Sequence, residues 1–383
     1  MSSGDRSPLP GYEFVGRGPA QRRLLAWLGE QLPGCELDVA VAQRSPAGPW
    51  ALKLHAPGRA SEVASLLQAE PWVERVVARP QHLYVRIGCE RLCEWVADGF
   101  APDAPDPLAG DEGRGRSVLV RAVDVDALAA AGEERPLGLF RETAVARSVA
   151  ALLRSRGFEV ALELLPPGGE TYDQIWAAAP GSVTHTVVVG TGVPMPAEVE
   201  RGDHVVQLPV GEVDVRHGPL RARFAGSVSA DDLAGEVGEA VLALLLIATP
   251  RARRIQLDER AVAREAATLA WLVPVIRAGS RHDVGVGSAA TLEASSREIA
   301  GELDLVSITA SRAASAADPA LIARSLRALV AVGMADQPSH APVLRASAAC
   351  GERLLELAGL QTRQRAEGPE SCTHSPGQPA KLY

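Results

Sequence analysis

The segment AVARSVAALLRSRGFEVALELL, residues 144–165, changes character at one glycine, and the architecture follows from that change. Before Gly157, the residues Val145, Val149, Leu152 and Leu153 recur at helical spacing, with Arg141, Arg147 and Arg154 placed off the apolar stripe. After it, Phe158 to Leu164 reads as a strand. Gly157 is the stop, since a helix end favours a residue without a Cβ. Upstream, Ser117 to Ala122 is a second short apolar strand. Strand, helix and strand within about fifty residues make a crossover unit, which implies a parallel sheet with helices packed on it. Thr184 to Val189 and His204 to Leu208 read as two further strands of that sheet.

On the N-terminal side the texture is different. Leu24, Leu25, Leu28 and Leu32 mark a helix, and Leu37, Val39 and Val41 alternate as a strand. Val63, Leu66 and Leu67 mark a second helix, and Val73–Val77 and Leu83–Ile87 form a strand pair around the turn Arg79-Pro80. Asp98 to Arg116, rich in Pro, Gly, Asp and Glu, reads as an exposed linker. From about Ala230 to Leu360 the pattern is helical. Asp318-Pro319 opens a helix whose stripe is Ile322, Leu326, Leu329 and Val330, with Arg324 and Arg327 facing elsewhere. A last helix carries Leu344, Ala348, Leu355 and Ala358. The expected organisation is α/β plus α: a small α+β domain (1–97), a linker (98–116), a Rossmann-like parallel-sheet domain (117–256), a helical bundle (257–362) and a disordered tail (363–383).

Composition narrows the function. The chain carries 46% apolar residues and a net charge of −8, so it folds, and nothing in its global charge draws it to nucleic acid. Any RNA contact must rest on a local arginine patch. Only two lysines occur, Lys53 and Lys381, a bias that matters wherever a compact ammonium does chemistry that a guanidinium fork does not. Cys35, Cys89, Cys93, Cys350 and Cys372 are too scattered for a disulfide framework and fit a reducing compartment. Cys89 and Cys93 stand four apart on a helix with His82 upstream, but no second pair completes a tetrahedron, so no metal site is expected. The longest apolar run, Ala240 to Ala248, is half the length needed to cross a bilayer and reads as a buried helix. The expected setting is cytoplasmic, with no membrane partner.

Three stretches together resemble arginyl-tRNA synthetases. Ala51-Leu52-Lys53-Leu54, Glu62 to Leu67 and Val73-Glu74-Arg75-Val76 resemble the N-terminal domain that in this family meets the tRNA elbow. Pro136-Leu137, the helix Ala144 to Arg154 and Arg156-Gly157-Phe158-Glu159-Val160 resemble its first crossover helix and second strand. Asp318 to Arg324, Pro342-Val343-Leu344 and Leu354 to Leu360 resemble the anticodon-binding domain named after Asp-Ala-Leu-Arg, and this is the most specific of the three. The resemblance implies tRNA as partner, an arginine isoacceptor; a tRNA-presenting role would add a partner enzyme.

The departures shape the expected chemistry. Where the family places a His-Ile-Gly-His-type motif, whose imidazoles hold ATP phosphates, this chain has Gly138-Leu139-Phe140-Arg141-Glu142-Thr143. Where a Lys-Met-Ser-Lys-type loop belongs, before Asp231-Asp232-Leu233, it has Gly218 to Phe224 with Arg221 and Arg223. Losing both phosphate grips removes several kcal/mol of transition-state stabilisation, on the order of a thousandfold or more in rate. No catalytic residue and no cofactor are therefore assigned. A vestigial nucleotide site would comprise Gly138, Arg141, Arg221 and Arg223, with Gly190 and Gly192 after a strand, where any ATP contact would be a weak remnant. Asp173 and Trp176 would lie near a vestigial amino-acid pocket, while His185, His204 and His217 read as ordinary sheet or loop histidines. The anticodon-domain stretch Ala328 to Gly333 carries no aromatic for stacking bases, which leaves Arg324, Arg327, Arg345 and Arg353, with Arg363 and Arg365 beyond, as the tRNA-binding candidates. Taken singly, each is more ordinarily an exposed helix charge. The expected function is a non-catalytic tRNA-binding protein with a regulatory or tRNA-presenting role. A repurposed ATP-dependent amino-acid ligase using Arg141, Arg221 and Arg223, and an interaction scaffold without RNA binding, are the alternatives.

Overall fold

A computed structural model describes residues 17–35, 37–42, 45–101, 110, 113–168, 174–177, 183–190, 205–215, 228–279, 297–306, 308–310, 318–335 and 341–360. The N-terminal region runs α1 (Pro19–Gln31), β1 (Asp38–Ala42), β2 (Ala51–His55), α2 (Ala60–Gln68), β3 (Val73–Ala78), β4 (His82–Ile87) and α3 (Cys89–Gly99). Its antiparallel sheet has the order β1-β2-β4-β3. β4 shows why one face is buried: Leu83, Val85 and Ile87 alternate inward and meet Leu24, Leu28 and Leu67 of the helices. The central strand β2 went unread as an element in the sequence, because five residues with Lys53 and His55 among them give too short an alternation.

The middle region contains β5 (Ser117–Val123), α4 (Val125–Ala130), α5 (Leu137–Ser155), β6 (Glu159–Leu165), β7 (His185–Val189) and β8 (Val205–Leu208). The sheet is parallel throughout, in the order β6-β5-β7-β8, as the crossover unit requires. Gly157 ends α5 with φ +81°, a left-handed turn that only glycine enters without strain. The end of the expected linker is not an exposed spacer. Gly110 and Gly113 donate their N–H groups to the carbonyls of Ser155 and Arg156, and a Cβ on Gly113 would collide with the Phe158 ring.

The helical region is interrupted. After β9 (Val213–Val215), α6 (Ala230–Val237) and α7 (Glu239–Ile247), the chain forms β10 (Ile255–Leu257), which pairs in parallel with β9. This corrects the reading of continuous helix from Ala230. α8 (Glu259–Gly279), the helical segment 297–306, α9 (Pro319–Ala335) and α10 (Ala341–Leu357) follow. α9 starts where expected: Asp318 Oδ1 accepts the Ala320 N–H at 3.1 Å, and Ile322, Leu326, Leu329 and Val330 are buried.

One face of the segment 297–306 fastens the N-terminal region to the helices. At positions i, i+4 and i+7, Arg297 pairs with Glu74 and donates to the Ile87 carbonyl (3.0 Å), Gly301 lies under the Trp50 ring, and Asp304 caps α1 through the Ala20 N–H (2.9 Å). α10 packs on α3, α5 and α8. One hydrophobic core therefore runs through all three regions. Among the described residues no helix is long and apolar enough to cross a membrane.

Candidate functional site

In the order β6-β5-β7-β8 the chain leaves β5 first to one side and later to the other, so the crevice between the carboxyl ends of β5 and β7 is the topological switch point. That is where an open parallel sheet binds ligands. Thr143 stitches the crossover helix to this edge, its hydroxyl donating to the Val123 carbonyl at 2.8 Å. Arg135 draws a second element in. Its backbone N–H and Nε donate to the two oxygens of Asp231 (2.8 and 2.7 Å), and its Nη1 reaches Asp126 and Glu239. The start of α5 and the start of α6, far apart in sequence, thus meet at one rim. Burial alone would raise the Asp231 carboxyl, but the N–H and guanidinium of Arg135 outweigh it and hold the group below its ordinary value.

Arg141 does not stand off the apolar stripe as the sequence reading had it. It is fully buried, and its guanidinium points into a ring of backbone carbonyls. Nη1 donates to Gly211 (2.5 Å) and Arg253 (2.8 Å), Nε to Leu246 (3.3 Å), and Nη2 to Pro250 (3.3 Å) and Thr249 (3.5 Å). Leu246, Thr249 and Pro250 lie at the C-terminal end of α7, where carbonyls lack helical partners. Arg141 supplies them. Desolvation lowers its pKa to about 10, still far above neutrality, so it remains a cation.

The neighbouring Glu142 is also buried, and its carboxyl group lies over Gly190 at the end of β7: a Cβ built on Gly190 would stand 3.4 Å from Oε2. Gly138, by contrast, borders open space, with no atom within 4 Å of a Cβ placed there. The structure thus gathers Gly138, Arg141 and Gly190 around one helix start and one strand end. Gly192, Arg221, Arg223, His204, His217 and Asp173 lie outside the described residues, and Trp176 packs with Leu165, Ile175 and Val188 beneath the sheet edge.

The tRNA candidates separate. Arg324 is exposed on α9 and forms no hydrogen bond or ion pair among the described residues. Arg327 is committed: its Nη2 and Nε bind the fully buried carboxylate of Glu265 on α8 at 2.6 and 3.1 Å. Arg353 pairs with Glu356 one turn on, at 2.7 Å. Arg345 lies on α10 with its side chain outside the described residues, as are Arg363 and Arg365. Sequence reasoning missed Glu265. Its spacing from Leu269, Leu272 and Ile276 places an acid on an apolar stripe, which is the pattern of a buried pair awaiting its cation.

Cys89 and Cys93 are buried with their sulfurs 3.9 Å apart, and contact with Cys89 together with burial pushes the Cys93 thiol well above its ordinary value. Among the described residues no group of three or more His, Cys, Asp or Glu is arranged to hold a metal ion.

No protein-family model matches the sequence, and no curated protein matches it. Solved structures match in shape. The arginyl-tRNA synthetase of Thermus thermophilus superposes with a TM-score of 0.54 at 12% identity, over 89% of this chain and 98% of that one. The chain has an arginyl-tRNA synthetase-like fold. A second synthetase of the same name, from Plasmodium falciparum, matches with a TM-score of 0.49 at 7% identity, over 91% of this chain and 99% of that one. At such identity the likeness is one of fold, and activity must be argued from this chain's own side chains.

Proposed function

We propose that this chain is a tRNA-binding relative of the arginyl-tRNA synthetases that does not activate arginine, and that it presents a tRNA to a partner enzyme or withholds it from the true synthetase in the cytoplasm. The observation that carries the reading is the fate of the helix start at the switch point. A phosphate grip needs donors aimed into the crevice. Arg141, the cation at that position, spends its donors on five carbonyls, and Glu142 sets a carboxyl group at the end of β7. Neither suits a triphosphate. The synthetase-like fold supports the tRNA half of the reading, as does exposed Arg324 on the helix that resembles the anticodon-binding domain. An arginine isoacceptor is the expected tRNA.

Arginine-dependent ATP–pyrophosphate exchange tests the first half, with background rates expected; robust exchange overturns it. Filter binding with bulk tRNA across salt concentrations tests the second half. Affinity should fall steeply as salt rises, because phosphate contacts release counterions. Absence of binding at low salt would favour the scaffold alternative. The repurposed-ligase alternative loses one of its three proposed grips, since Arg141 serves the fold.

A further inference from the structure

The junction between the sheet and the helical region carries a concentration of cations out of keeping with the rest of the molecule. Residues 251–264 contain five arginines against two acids, in a chain whose net charge is −8. The same stretch lines a cleft of about 400 Å³ between the end of α7, strand β10 and the first turns of α8, with Thr249, Arg254, Gln256, Asp258, Arg260 and Arg264 on its walls. We propose that this cleft binds the phosphodiester backbone of RNA, and that Arg260 and Arg264 are its principal phosphate contacts. The inference rests on the tRNA-binding reading and adds a site to it.

The arginines are not equivalent. Arg254 already pairs with Asp214 and Glu212 of the neighbouring β9 edge and contributes little net charge. Arg260 is exposed and forms no hydrogen bond or ion pair among the described residues. Arg264 is held at one point: its Nε donates to the fully buried Glu265 carboxylate at 2.9 Å, which the α9 residue Arg327 grips from the other side at 2.6 Å. That carboxylate fixes the stem of Arg264 and leaves both Nη groups, four N–H donors in a plane, without a protein partner among the described residues. A planar fork anchored at its base meets two phosphate oxygens with little further loss of rotamer freedom. Asp258, the acid on the wall, is turned to its own helix, where Oδ1 accepts the Ala261 N–H at 2.9 Å. Thr249 and Gln256 add neutral donors for phosphate or ribose oxygens.

Placement favours RNA over a small anion. The cleft is open, and Glu265 links its wall residue Arg264 to Arg327 of α9, the helix that also bears exposed Arg324 one turn earlier, so both cationic positions belong to one joined pair of helices. Fluorescence anisotropy with labelled bulk tRNA over a salt series tests the inference, using the whole chain and the double variant Arg260→Ala/Arg264→Ala. Two lost phosphate contacts reduce the slope of log K against log salt by about 2, equivalent to roughly 30-fold weaker binding at 0.15 M salt. Arg260→Lys/Arg264→Lys should keep the slope. The two-charge control Arg147→Ala/Arg154→Ala on α5 should change it little, and unfolding midpoints would confirm that each variant folds. A wild-type chain that binds tRNA while the double alanine variant keeps both affinity and slope overturns the cleft and spares the functional reading. A wild-type chain that fails to bind tRNA at low salt overturns both.

Discussion

Replacing Arg141 by methionine separates a structural arginine from a nucleotide-binding one. Methionine preserves the apolar stem and removes the guanidinium. Two short bonds from Nη1 contribute about 2–3 kcal/mol each and three longer ones about 1 kcal/mol each, as charge-assisted donors to carbonyls. Against this stands the desolvation of the cation, which lowers its pKa to about 10, a cost of about 3 kcal/mol. The net loss is about 5 kcal/mol, and the buried carbonyls of Gly211 and Arg253 are left without their donor. At about 1.2 °C per kcal/mol for a chain of this size, thermal unfolding should shift down by about 6 °C. The control is Arg154→Met on the exposed side of α5, where one bond to the Val160 carbonyl is lost and the midpoint should move by about 1 °C or less. Thermal scans and ATP titration of both variants complete the experiment. An Arg141→Met protein that melts with the wild type yet loses ATP binding would refute the reasoning, because it would place Arg141 on a phosphate.

Asp304 is buried beside the α1 N-terminus, and burial raises its pKa to about 7, against the lowering effects of the Ala20 N–H and of Arg22. The folded state therefore holds a proton that the unfolded chain has released, so this group's contribution to stability is greatest below about pH 4, declines as pH rises, and levels off above about pH 7. Asp304→Asn should abolish that component in urea titrations run across pH, and an unchanged profile would contradict it. Glu265→Ala leaves Arg264 and Arg327 without the carboxylate between them and should cost about 2–3 kcal/mol by chemical denaturation, the half-exposed partners softening the loss. Gly301→Val places side-chain atoms where the Trp50 ring lies and should cost at least about 2 kcal/mol while loosening the N-terminal region, seen as faster proteolysis between that region and the helices. Equal proteolysis rates would show that the contact does not hold the regions together.

The crossover unit was legible because its residues repeat their pattern locally: Val145, Val149, Leu152 and Leu153 on a stripe, a glycine stop, then a strand. The start of α9 was legible for the same reason, with Asp318 and Pro319 acting on the first turn alone. β10 escaped, since Ile255 and Leu257 become a strand only by pairing with Val213 and Val215, some forty residues away. The candidate site was half legible. That ordinary phosphate grips are missing from Gly138–Thr143 is a statement about residue types, and the sequence carries it. What Arg141 does instead depends on carbonyls 70 to 112 residues distant, and no local pattern encodes them.

The arginine bias sharpens that limit. In a chain with two lysines, arginine serves everywhere a cation is wanted, so its presence says little about exposure. Arg121, Arg135, Arg141, Arg156 and Arg297 are each at most 8% exposed. For Arg121, Arg135, Arg141 and Arg297 the visible partners are carboxylates or carbonyls contributed by other elements. A lysine offers three donors around one point and cannot span acceptors set as far apart as Gly211 and Pro250, whereas a planar fork can. Arginines that cross-link the fold are thus chemically marked by what surrounds them, and those left over are the ones available to a ligand. By that criterion the described surface offers Arg75, Arg79, Arg114, Arg253, Arg260 and Arg324, together with the Nη groups of Arg264, and only Arg324 belonged to the set that helix patterns had nominated.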